Sequence, residues 1–138
     1  MTTSSNPLDH DENVAIGITL PIRRGKVGYF ESSYQTIDQL KSNIKNLFMT
    51  KKGERLFQPN LGSDLWKTVF EQNDDDIDIL FDDIIRETLK KWLPFVIVTQ
   101  LYLNRDSTNI DMYKVEVDLK FTIANDPTTL HSVTFVVE

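Results

Sequence analysis

The feature that most constrains the fold lies near the C-terminus. From Tyr113 to Ile123 the chain alternates strictly: Tyr113, Val115, Val117, Leu119, Phe121 and Ile123 fall at one parity, and Lys114, Glu116, Asp118, Lys120 and Thr122 at the other. Successive side chains of a strand point to opposite faces, so a slip of one residue would carry the whole apolar set into water. Such a strand needs an apolar layer on one face and tolerates solvent on the other, as antiparallel sheets do. Its neighbours fit. Phe95 to Leu103 is rich in β-branched and aromatic residues. Thr129 to Val137 sets His131, Val133, Phe135 and Val137 against Leu130, Ser132, Thr134 and Val136. Polar turns, Asn104 to Asn109 and Asn125-Asp126-Pro127, separate the three runs.

The apolar layer comes from helical segments upstream. Thr36 with Gln39 forms a capping box, followed by Ile37, Leu40, Ile44, Leu47 and Phe48 at helical spacing. Lys41, Lys45, Lys51 and Lys52 crowd toward the end of that helix, and Gly53 reads as its C-terminal cap. Ser63 caps a short helix, Asp64 to Phe70, with Leu65, Trp66, Val69 and Phe70 as its apolar positions. A longer helix spans about Asp76 to Leu93, with Ile77, Leu80, Phe81, Ile84, Ile85, Leu89 and Trp92 on its buried stripe. Asp82 with Arg86, and Glu87 with Lys91, are i,i+4 pairs on its open face, and Pro94 stops it.

Before the helices, Val14 to Pro21 reads as a short strand with Ile16, Ile18 and Leu20 on one face. Arg23-Arg24-Gly25-Lys26 and Gly28 make a basic loop, and the following Tyr29 and Phe30 are expected to bury. Residues 1–13 are polar and predict a mobile N-terminal tail; residues 14–138 predict one domain, since 138 residues fit a single core. The expected fold class is α+β: about three helices packed on one face of a mainly antiparallel sheet of three to four strands.

Charge and residue supply exclude several functions. Fifteen Lys and Arg against 21 Asp and Glu leave a net charge of −6, which opposes non-specific nucleic-acid binding. No apolar run is long enough to predict a membrane span, and no secretory leader is read, so a cytosolic location is the default. With no cysteine there is neither a disulfide nor a thiolate-held metal. His10 falls in the tail, and His131 is expected to pack at the sheet edge, with nothing near it in sequence to complete a triad. Asp74 to Asp78 is acidic like a calcium loop but has Ile79 and Ile85 where that loop needs glycine and glutamate. No catalytic, cofactor or metal residue is assigned, and no cofactor is expected. A hydrolase would need two carboxylates flanking a cleft. Glu31, Glu54 and Asp64, beside irregular backbone, are the candidates, and pairing of Glu54 with neighbouring cations is the simpler reading.

Thr50 to Leu65 reads TKKGERLFQPNLGSDL. It resembles the signature of phage baseplate wedge proteins of the lysozyme-like baseplate family, to which a type VI secretion baseplate subunit is related. Thr50, Gly53, Glu54, Arg55, Phe57, Pro59, Gly62, Asp64 and Leu65 carry the resemblance, which extends from about Ile16 to the C-terminus. Where many relatives carry Glu-Pro-Arg after the long helix, this chain has Leu93-Pro94-Phe95; the resemblance then implies that an apolar contact is expected in place of any made by those charges. The resemblance implies a wedge domain at 14–138 that joins the inner baseplate to the contractile sheath and templates its polymerisation. It implies no enzyme, whatever the family's historical lysozyme label. The implied partners are other baseplate wedge proteins, the tail sheath protein, and tail tube or hub-proximal proteins, with no nucleic acid and no membrane. The implied location is the tail baseplate of a virion assembled in the host cytoplasm. A cell-wall-degrading hydrolase and an adaptor binding module are the alternatives.

Residue roles follow. Gly53, Glu54, Arg55, Pro59, Gly62 and Asp64 are expected to build an ordered loop, with the five donors of Arg55 tying backbone carbonyls together. Arg23, Arg24 and Lys26, the Leu93-Pro94-Phe95 step, and Thr134 and Val136 on the last strand are the interface candidates. The last strand is expected to leave a sheet edge open to a neighbour's strand.

Overall fold

The computed structural model describes residues 15–25, 29–69, 75–105 and 114–137. The expectations placed on Met1 to Val14, Lys26, Gly28, Phe70, Asn73, Asp74, 106–109 and Tyr113 lie outside these residues. The described chain contains β1 (Gly17–Ile18), β2 (Ser32–Ser33), α1 (Thr36–Met49), α2 (Leu65–Val69), α3 (Asp75–Trp92), β3 (Val96–Arg105), β4 (Val115–Ile123) and β5 (Asp126–Val137). It is α+β, with three helices and two antiparallel sheets. Two compact units divide it, one up to Asn46 and one from Leu47.

In the first unit β1 pairs antiparallel with β2, an element not foreseen in the sequence. The strand expected over Val14 to Pro21 is cut to Gly17–Ile18, but the Ile16 N–H still donates to the Ser33 carbonyl and the Thr19 N–H to the Glu31 carbonyl. Glu31 N–H donates to the Arg23 carbonyl, which draws the basic loop back beside β2. Tyr29 and Phe30 do not bury; they are 90% and 52% exposed. The paired backbone on either side, Glu31 to Arg23 and Thr19 to Glu31, leaves both rings at the surface. Gln39, read as a capping-box partner, has its side chain engaged elsewhere: its carbonyl accepts the Ser33 hydroxyl at 2.5 Å and its amide donates to Asn43 at 2.9 Å.

The second unit carries the main sheet, in the order β3-β4-β5 with both pairings antiparallel. The alternation of β4 holds: Val115, Val117, Leu119 and Phe121 are buried, while Glu116 and Asp118 are exposed. α3 packs on β3, and α2 touches both α3 and β5. Phe48, in the last turn of α1, stacks on Phe135 with ring centroids 5.0 Å apart. The buried stripe of α3 is narrower than its apolar residues suggest. Ile77, Phe81, Ile85 and Leu89 are buried at i,i+4 steps, while Leu80 is 40% exposed. Arg86 bonds Asp82 at 2.8 Å, as the spacing predicts. Glu87 and Lys91 form no ion pair among the described residues; the Lys91 ammonium lies 5.4 Å from the Trp92 ring centroid instead.

The last hairpin is tighter than expected. Ile123 pairs directly with Asp126, so Ala124-Asn125 is the turn and Pro127 lies inside β5. β5 is an edge strand, where a missing N–H is tolerated. The register then shifts, so that Phe121 pairs with His131, and the Asp126 carboxylate accepts the hydroxyls of Thr128 and Thr129 within that bulge. His131 packs its ring against Phe121, 5.7 Å between centroids.

A clamped loop and an open sheet edge as candidate docking sites

α1 ends at Met49, four residues before Gly53, so Gly53 is not its cap. The chain enters a loop whose base is closed by backbone. The Ser63 N–H donates to the Thr50 carbonyl at 3.0 Å, and the Ser63 hydroxyl donates to the Phe48 carbonyl at 3.1 Å. Higher up, the Gly53 N–H donates to the Pro59 carbonyl at 2.7 Å. Both glycines take left-handed backbone, Gly53 at φ 88° and Gly62 at φ 120°, a region that costs other residues steric strain. Gly62 is also crowded, since a Cβ there would sit 2.4 Å from the Thr50 carbonyl oxygen.

Side chains brace the same frame. The Lys51 N–H donates to Glu54 Oε2 at 3.1 Å. Asp64 pairs with Lys52 at 3.0 Å and approaches Lys67 at 3.4 Å. The Lys52 hydrogen bond is the main reason the Asp64 carboxyl is held below the usual carboxylate range, with Lys67 adding to it against a desolvation penalty. Lys51 and Lys67 lie over the Trp66 ring, and Leu65 anchors the exit in the core with no exposure.

Arg55 is not the clamp the sequence suggested. It is exposed and makes no hydrogen bond or ion pair with any described residue. Glycine geometry and backbone hydrogen bonds have closed the loop without it. The signature therefore splits by role. Gly53, Glu54, Pro59, Gly62 and Asp64 hold the loop, and Arg55, Leu56 and Phe57 stand out from it. Leu56 is 94% exposed and Phe57 99%. Sequence reasoning placed Phe57 in the motif without reading its exposure.

The other interface candidates are also at the surface. Arg23 and Arg24 are exposed in the first unit. Leu93-Pro94-Phe95 makes the turn from α3 into β3, with the Val96 N–H bonded to the Leu93 carbonyl and the Ala124 N–H to the Phe95 carbonyl. Phe95 and Ile97 are 44% and 49% exposed there. Thr134 and Val136 lie on the outer face of β5, where the Thr134 hydroxyl donates to Asp118. Beyond β5, as beyond β3, no further strand pairs among the described residues.

Two of the three carboxylates weighed for hydrolysis are otherwise occupied. Glu54 binds backbone, Asp64 is ion-paired, and Glu31 lies in the first unit beside a shallow groove of about 520 Å³. That groove is walled by Ser32, Ser33, Asp38, Lys41 and Lys45 among others. No helix among the described residues is long and apolar enough to cross a membrane.

A sequence comparison with curated proteins gives no match. Solved structures share the fold. A chain of the anti-feeding prophage baseplate superposes with a TM-score of 0.64 at 18% identity, covering 78% of this chain and 84% of that one. A Geobacter sulfurreducens protein with the provisional description of tail lysozyme gives 0.60 at 16% identity, with 74% and 91% covered. A chain of the type VI secretion system baseplate complex gives 0.54 at 16% identity, with 74% and 93% covered. The sequence profile of baseplate wedge protein gp25 matches residues 35–128, most of the chain and the whole of the clamped loop. The chain belongs to the gp25 family of baseplate wedge proteins.

Proposed function

We propose that this chain is a structural subunit of a contractile-tail baseplate wedge, that it connects the inner baseplate to the sheath, and that it templates sheath polymerisation. The observation that carries this reading is the outer edge of β5, unpaired among the described residues. An open edge offers main-chain donors and acceptors in register, and a neighbour's strand can extend the sheet there. The buried parity of β5, Val133, Phe135 and Val137, ties that edge to the core, so an added strand would be oriented by a fixed template. Arg23, Arg24 and the apolar Phe95 step are surfaces for neighbouring wedge chains. No catalytic step belongs to this reading. A general acid needs a carboxyl with a raised pKa, and Asp64 is shifted the other way. The place of action is the tail baseplate of an assembled particle.

The test is to place lysines along the open edge, Thr134→Lys with Val136→Lys, and to image tails by electron microscopy. Both positions are exposed, and a lysine opposite Asp118 keeps a cross-strand partner, so the fold should persist. Baseplates with the native chain are expected to carry ordered sheaths, and variant baseplates to carry bare tubes. Normal sheaths on variant baseplates would overturn templating along β5.

A further inference from the structure

We infer that Arg55-Leu56-Phe57 is a preformed anchor that inserts into an apolar cleft rimmed by carboxylate on a different baseplate subunit. The inference rests on the assembly reading above and adds to it a second contact, away from the sheet edge.

Two adjacent large apolar side chains at 94% and 99% exposure are costly in water, and neither packs on the loop that carries it. A flexible tip would spread that cost over many conformers. This tip is held, because the Gly53 N–H to Pro59 carbonyl bond closes the chain directly beneath it. The Glu54 carboxylate is turned back to the Lys51 N–H, so it does not neutralise Arg55. The result is a fixed finger with two apolar side chains beside an uncompensated cation. Rigid presentation lowers the ordering cost of binding, and Arg and aromatic residues are the side chains that dominate interface energies.

Charge selects the partner. From Thr50 to Lys67 the chain carries Lys51, Lys52, Arg55 and Lys67 against Glu54 and Asp64, a basic island on a protein of net charge −6. The complementary surface is acidic at its rim and apolar within. A second copy does not supply it. The groove of the first unit has Leu20 and Tyr34 in its wall, but Lys41 and Lys45 offset Glu31 and Asp38 there, so its rim is not the acidic one that Arg55 calls for.

The test puts the photo-cross-linker p-benzoylphenylalanine at position 57 of the full chain, expressed with its complete set of tail genes. Assembled baseplates are purified and the cross-linked peptides sequenced. The expected product joins position 57 to another baseplate subunit, within a peptide that bears Asp or Glu beside apolar residues. In parallel, Arg55→Glu and Phe57→Ser should each lower incorporation into baseplates by about thirtyfold, as for loss of an interface anchor. Their thermal midpoints should stay at the native value, since neither side chain touches the fold. Reversing the charge of the cross-linked carboxylate should restore Arg55→Glu. Cross-links only to a second copy, no cross-link within baseplates that contain the chain, or full incorporation of both variants would each overturn the anchor and leave the assembly reading standing. Absence of the native chain from baseplates would overturn both.

Discussion

The two glycines of the clamped loop make a controlled pair. Both have positive φ, so alanine at either position carries left-handed strain of about 1–2 kcal/mol. Their surroundings differ. A Cβ at Gly53 meets nothing within 4 Å, whereas one at Gly62 meets the Thr50 carbonyl oxygen at 2.4 Å and carbon at 3.0 Å. Both atoms belong to backbone and the oxygen accepts the Ser63 N–H, so the group yields only by weakening that bond. Overpacking of this kind adds about 1–3 kcal/mol and the bond about 0.5–1.5 kcal/mol, which places Gly62→Ala at about 2.5–6.5 kcal/mol in all. The unfolded chain loses similar freedom in both variants, so that contribution cancels in the comparison. For a chain of this size the loss corresponds to a drop in Tm of roughly 10 °C or more for Gly62→Ala, and about 4–8 °C for Gly53→Ala. Urea unfolding followed by tryptophan fluorescence suits the measurement, because Trp66 lies just past the loop. A Gly53→Ala loss equal to or larger than that of Gly62→Ala would refute the crowding at Thr50 as the reason for glycine at 62.

Other outcomes are expected. Phe81→Ala, at a site with no exposure, should cost about 3–5 kcal/mol in urea melts, while Phe57→Ser should cost almost nothing. Because the Asp64 pKa is lowered in the folded chain, its pairing stabilises above the ordinary value of 3.8 and is lost as pH falls through the lowered one. Asp64→Asn should therefore remove about 0.5 kcal/mol at pH 7, discounted for partial exposure, and the loss should shrink as pH falls below 3.8; a loss that keeps its size in acid would contradict the pairing. Purified protein is expected to leave peptidoglycan intact, and a robust hydrolysis rate abolished by Glu54→Gln would return the hydrolase reading.

What the sequence made legible follows period and parity. The alternation of β4 and β5 gave their buried faces, because a strand beside water has one workable register. The stripes of α1 and α3 gave the helices for the same reason. The misses occur where backbone, not side-chain pattern, decides. Ser32–Ser33 has no strand composition and pairs because Ile16 and Thr19 bond the carbonyls on either side. Asn125-Asp126-Pro127 looked like a turn by composition, but the pairing of Ile123 with Asp126 moved the turn one residue back. Arg55 was the instructive error. Five donors beside a loop suggest a clamp, yet closure came from Gly53, Gly62 and Ser63, and this left Arg55 free to face outward. Nothing in a linear motif separates residues that hold a loop from residues the loop holds out.

That separation bears on how the subunit would join an assembly. Strand addition along His131–Val137 would supply about six main-chain hydrogen bonds at about 0.5–1.5 kcal/mol each. The gross gain, about 3–9 kcal/mol, is comparable to the 4–15 kcal/mol lost when two bodies give up translation and rotation. The outer face of the sheet adds little, because Asp118 and Thr134, Asn104 and Glu116, and Lys120 and Tyr102 already satisfy one another. An edge alone therefore gives orientation at marginal affinity, and any strand of suitable shape would compete for it. The finger lies in the same compact unit as β5 and has the opposite character, with apolar anchors and a charge but no repeating hydrogen-bond ladder. If the finger is seated first, later strand addition starts from a subunit already held in the assembly, and the effective concentration at the edge rises without new contacts. Under this order, Phe57→Ser should lower sheath initiation as far as it lowers incorporation even though β5 is intact, whereas lysines at Thr134 and Val136 should leave the subunit in the baseplate and block only the sheath. Loss of baseplate incorporation in the Thr134 and Val136 variant would show that the edge, not the finger, holds the subunit in place.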